Sequence, residues 1–133
     1  MKQLIIAYFS SLVTMLAIDS VWLNLMMNRF YKPRMEEILA KNVSYGPAVV
    51  FYLLYAMGLL LLVIQPALKN ESPLWQVFLY GALLGLSCYG TYDLTSQAVL
   101  KNWPSSLTIV DLLWGTLLTG VVAVVAVSVT RWL

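Results

Sequence analysis

SLTIVDLLWGTLLTGVVAVVAVSV, residues 106–129, carries a single charged side chain, Asp111, along its whole length. At about 1.5 Å per helical residue it is long enough to cross a hydrocarbon core of about 30 Å, so it reads as a transmembrane helix. Three stretches of similar character precede it, residues 4–27, 47–64 and 75–96. The chain has 133 residues, 61% of them hydrophobic and 11% charged. An ordinary soluble domain is about 45–50% apolar and about 25% charged, so too little polar surface remains here to cover a globule in water. The expectation is an all-α polytopic membrane protein, a four-transmembrane-helix bundle forming one integral domain over residues 1–133.

Composition also removes chemistries. There is no histidine, which excludes a histidine general base, a Ser-His-Asp relay and a His-box metal site. The single cysteine, Cys88, has no partner for an intramolecular disulfide. A net charge of +2 without a basic block leaves no footprint for nucleic acid. The sequence shows no Gly-rich phosphate loop and no paired metal motif, and it names no cofactor. Any metal would need an all-oxygen site, better suited to magnesium than to zinc.

The links between spans define two faces. Both chain ends and the link of residues 65–74 fall on face A; the links of residues 28–46 and 97–105 fall on face B. Trp75 and Trp132 then lie at face A, and Trp22 and Trp103 near face B, where amphipathic indoles prefer to sit. Face B carries Arg29, Lys32, Arg34, Lys41 and Lys101 against Lys2, Lys69 and Arg131 on face A, which places face B in the cytoplasm and the termini outside. The first apolar run exceeds the core of a signal peptide, so the first span is expected to stay. The first link has a pattern of its own. Pro33 suits a first helical turn, Glu36 and Glu37 complement a helix start and Lys41 a helix end. Tyr31, Met35, Ile38 and Leu39 recur on one face, predicting a short amphipathic helix between spans 1 and 2 that lies in the interface.

The acids inside the spans are the informative residues. Asp19 lies roughly 22 Å from face A, and Asp111 roughly 8 Å below face B. Asp93 lies near the face-B end of span 3, so three helices bring a carboxylate to one layer. Asp93, nearest a helix end, is expected to be the most interfacial of the three. An intramembrane charge costs at least about 2.5–3.5 kcal/mol. Three unpaired carboxylates therefore do not all stay ionised in a dry layer: protons, a shared cation or water must reach them. Asp19 with Trp22, and Asp111 with Trp114, repeat at i, i+3. Tyr89, Ser96 and Gln97 share the helical face of Asp93. Ser20, Asn24 and Asn28 form a polar stripe that reads as the lining of a path to face B. Against this stands a purely structural role, in which such acids snorkel or bond Tyr and Trp of neighbouring helices, and Asp111 complements a helix start. The candidate ligand-binding set is Asp19, Trp22, Asn24, Tyr89, Tyr92, Asp93, Asp111 and Trp114. Gly81 with Gly85, and Thr116 with Gly120, permit close helix approach, either inside the bundle or in a homodimer.

Several of these residues fall in motifs: Asp19-x-x-Trp22-Leu23, then Phe51-Tyr52 with Tyr55 and Gly58, then Gly81-Ala82 and Tyr89-Gly90-Thr91-Tyr92-Asp93-Leu94-Thr95, then Trp103-Pro104 and Asp111-x-x-Trp114-Gly115. Over nearly its whole length the chain resembles a bacterial membrane family, domain of unknown function 2177. It departs from that pattern at Ser96, where an Asn follows the Thr in the family. The resemblance implies a small four-helix protein of the bacterial inner membrane, in contact with membrane lipids, and it brings no established activity. Three functions compete: binding or transport of a proton or small cationic solute, with Trp22, Tyr92 and Trp114 as cation–π walls; a lipid-modifying enzyme or accessory factor using an Asp as acid or base; and an assembly subunit whose acids pair with another protein's Lys or Arg.

Overall fold

The computed structural model describes residues 1–35 and 44–133. They form four helical rods: α1 (Lys2–Met35), α2 (Tyr45–Lys69), α3 (Leu74–Val99) and α4 (Ser105–Trp132), with no strand among the described residues. Three of these, α1, α2 and α4, are long and apolar enough to cross a membrane. The 26 residues of α3 match them in length, but its glycines, its tyrosines and the polar run of residues 91–97 lower its hydropathy.

Two helices run further than hydropathy alone indicates. α1 continues past Met27 and α2 past Ile64, and each does so through one π turn, Met27–Tyr31 and Leu60–Ile64. The Lys32 N–H reaches back to the Met27 carbonyl, and the Gln65 N–H to the Leu60 carbonyl. In both cases the next residue is proline, Pro33 or Pro66. A proline ring collides with the carbonyl four residues back, and one wide turn moves that carbonyl aside. Pro33 therefore sits inside a continued α1, where the sequence pattern gave it the start of a separate helix. The remainder of that amphipathic pattern, with Glu36, Glu37, Ile38, Leu39 and Lys41, lies outside the described residues.

α4 is the hub. Its Leu118, Val122, Ala123, Ala126 and Val127 are buried against Met15 of α1, Leu59, Val63 and Ile64 of α2 and Val77 of α3. This packing forms the centre of the bundle in the half toward face A, where an outer cleft of about 460 Å³ lies between α2 and α3 beside Val63, Ala67, Val77 and Tyr80. Arg131, near the end of α4, donates to the carbonyls of Ala67 (3.3 Å) and Ser72 (2.7 Å) and ties down the α2–α3 turn. Trp75 and Trp132 are exposed there, as amphipathic anchors at a membrane surface would be.

α3 and α4 pack closest, antiparallel, through small residues. A Cβ on Gly81 would stand 2.9 Å from the Ala123 Cβ. One on Gly85 would run into the Gly115 carbonyl and Thr119, and one on Gly115 would enter the Tyr89 ring. The contacts climb in steps of four residues on each helix: Gly81 with Ala123, Gly85 with Thr119, Tyr89 with Gly115. The Gly81–Gly85 pair is thus used inside the chain. One step further along this ladder stand Asp93 and Asp111.

Candidate functional site

In the half toward face B the bundle holds a half-open cavity of about 240 Å³, and Asp19, Asp93 and Asp111 all line it. α1 contributes Asp19, Trp22 and Tyr31, α2 contributes Tyr52, α3 Tyr89, Tyr92 and Asp93, and α4 Asp111 and Trp114. The packed half described above closes it toward face A. Toward face B, buried Tyr31, Trp103 and Leu107 cluster with Trp22, Met27, Phe30 and Met35.

The three acids have different surroundings. Asp19, 7% exposed, accepts from Trp114 Nε1 at 3.1 Å and from the Tyr52 hydroxyl. Asp111 accepts from the Tyr31 hydroxyl at 2.9 Å, and that hydroxyl accepts in turn from Trp22 Nε1 at 3.0 Å. For these two, bonding to Tyr and Trp of other helices is what holds the carboxylate. Asp93 is 0% exposed and neither of its oxygens has a hydrogen-bond partner among the described residues. The group facing it is the Asp111 carboxyl. Two carboxyls bond each other only when a proton lies between them, so this pair is held either as an acid with its conjugate base or by a cation. The expectation that Asp93 would be the most interfacial acid is overturned: the glycine ladder draws α3 against α4 and buries it.

The indoles of Trp22 and Trp114 stack with centroids 4.1 Å apart and planes within 8°, forming one wall. Tyr89, packed on Gly115, and Tyr92, whose ring meets Trp103 edge-on at 5.8 Å, form another. Further from face B, the hydroxyls of Tyr55 and Thr119 bond each other at 2.6 Å. Among the described residues no three acidic or sulfur groups gather closely enough to hold one metal ion.

Of the candidate residues, Asp19, Trp22, Tyr89, Tyr92, Asp93, Asp111 and Trp114 meet at this cavity. Asn24 does not. It is exposed with Ser20 and Asn28 on another side of α1, because five residues of helix turn it about 140° away from Asp19. Ser96 and Gln97 leave Asp93 unbonded, and Gln97 donates to Ser105 at 3.1 Å. Trp103, expected at the interface, is turned inward and donates to Thr108 at 2.9 Å. Tyr31 and Tyr52, the hydroxyls that bond two of the acids, were not among the candidates. Tyr52 lies seven residues into α2, at the depth of Asp19, and the depth estimate applied to phenols as well as acids finds it.

No curated protein matches the chain, and no solved structure does. The family described as predicted membrane protein (DUF2177) matches residues 4–128. That span takes in the greater part of all four helices and every residue that lines the acidic cavity, and the chain belongs to this family.

Proposed function

We propose that this is a single-domain, four-span membrane protein whose cavity of acids and aromatic rings binds a proton or a small cationic solute. The observation that carries the reading is Asp93: two fully buried carboxyl oxygens, bonded by no Tyr, Trp or backbone group among the described residues, beside a second carboxyl at the cavity wall. Such a pair is costly unless something positive joins it. The rest of the cavity suits a cation. Stacked Trp22 and Trp114 and the ring of Tyr89 offer electron-rich surfaces, and such rings attract ammonium groups by about 0.5–2 kcal/mol each. At about 30 Å³ per water, the volume matches about eight waters or one small organic cation with some water.

In this reading α3 is the fourth span. Asp93 points into the bundle and the rest of the polar run of residues 91–97 lies near face B, while Gln76 sits at the face-A end and Tyr80 and Ser87 are exposed along the helix; together they account for a hydropathy below that of the other three helices. The excess of Lys and Arg at face B favours cytoplasmic placement of that face. The well-packed half toward face A closes the cavity there, which favours a binding site entered from one side; transport would require that half to open.

The test is thermal stability of the purified protein against ethylammonium, tetramethylammonium, sodium and potassium at several pH values. A bound cation raises Tm with its concentration, and the rise shrinks as pH falls, because protons compete for the same carboxylates. A stability that follows pH with no response to any cation reduces the reading to a proton site. No response to either contradicts it.

A further inference from the structure

A second space lies against the side of the cavity. Below face B, α2 and α3 stand apart, and α2 meets α3 chiefly through its π turn at Leu60–Ile64. The gap between them is a second space of about 430 Å³, lined by Phe51 of α2, Cys88, Tyr89 and Tyr92 of α3 and Asp111 of α4. Tyr89, Tyr92 and Asp111 also line the acidic cavity, so the two spaces share a wall and an acid. Phe51 and Tyr92 are exposed at the outer lip, on a surface that a span presents to lipid. The end toward face B is occupied by Tyr31, Trp103 and Leu107. An apolar gap leading from the lipid side to a carboxyl, with a second, buried acid behind it, has the polarity order of a molecule with a hydrocarbon body and a cationic head.

We propose, building on the cation-site reading above, that the occupant is an amphiphilic amine that enters sideways from the bilayer between α2 and α3. Its ammonium group reaches Asp111, behind which the buried Asp93 carboxyl stands, and its chain lies against Phe51, Cys88 and Tyr92. Acid at the inner end and apolar side chains at the outer end select a primary alkylammonium over both a hydrophilic cation and a neutral lipid.

Cys88 is a native reporter, since it is the only cysteine and lines the gap. The full-length protein in lipid nanodiscs is alkylated with N-ethylmaleimide in the presence of decylammonium, ethylammonium or decanol. Decylammonium is expected to slow modification of Cys88 by about tenfold at ten times its Kd. Ethylammonium and decanol at equal concentration are expected to leave the rate unchanged, and the same pattern is expected for Phe51→Cys in a Cys88→Ala background. Equal protection by decanol would show that the gap takes any lipid chain and overturn the amine assignment. Ethylammonium that raises Tm while decylammonium fails to protect would leave the cation site standing and overturn the lateral route. If Cys88 and the Phe51→Cys thiol are both alkylated at rates that no amine alters, the chain does not lie in the gap, and the lateral route is overturned as well. Failure of every amine, in both Tm and protection, would remove the cation site itself.

Discussion

Asp93 and Asp111 face each other because Gly115 has no side chain. The Tyr89 ring occupies the space a Cβ at Gly115 would need, and the next step along both helices brings the two carboxyls together. Substitution at the ladder therefore propagates to the site. Gly115→Ala and Gly85→Ala are expected to lower stability by about 1–3 kcal/mol, the usual cost of overpacking. Gly46 and Gly58 have open space where a Cβ would go, and alanine there is expected to be neutral or mildly stabilising. Unfolding of the four variants in one detergent checks the contrast.

Asp19 has the opposite character. Its two donors come from α2 and α4, so Tyr52→Phe removes one hydrogen bond to a buried acid while keeping the ring, and Trp114→Phe removes the other together with part of the surface stacked on Trp22. Each is expected to cost about 1–3 kcal/mol. Asp19→Leu leaves both the phenol and the indole without an acceptor and is expected to cost more than either. A double-mutant cycle between Tyr52→Phe and Trp114→Phe reads their coupling through the shared carboxylate.

Tyr31 belongs to the other acid. Tyr31→Phe removes the hydroxyl that bonds Asp111 and accepts from Trp22, leaving two polar groups without that partner. A loss of about 1–3 kcal/mol is expected. Because the hydroxyl ties the end of α1 to α4, hydrogen exchange of the amides in Met27–Tyr31 is expected to quicken in this variant, while that of the packed half toward face A stays unchanged.

The fold was legible where hydropathy speaks and opaque where rotation and side-chain reach decide. An apolar run such as residues 106–129 has one outcome at the scale of a bilayer. Depth counted in residues also placed Asp19, Asp93 and Asp111 in one layer, and all three line one cavity. Periodicity does not say which face of a helix turns inward, and Asn24 shows the consequence: the polar stripe read as the lining of a path to face B is exposed on a side of α1 away from the cavity. The π turns before Pro33 and Pro66 were invisible because proline reads as a stop, whereas one wide turn carries the helix past it. Residues 81, 85, 89 and 93 repeat every four positions, so the stripe that buries Asp93 was written in the sequence. Its partner stripe on α4, residues 111, 115, 119 and 123, becomes visible only once the two helices are set side by side.

The most direct test joins stability and binding in one variant pair, Asp93→Asn and Asp93→Leu. Asp93 has no hydrogen-bond partner in the described fold; leucine there removes the buried polar group, and asparagine removes the charge and turns an N–H donor toward the Asp111 carboxyl. Both variants are expected to be as stable as wild type or up to about 1 kcal/mol more stable, and neither is expected to gain Tm from an alkylammonium ion that stabilises wild type. Stable variants that no longer respond to the cation would identify Asp93 as an acid kept for its ligand. Variants that unfold, or that keep the full response, would contradict that assignment.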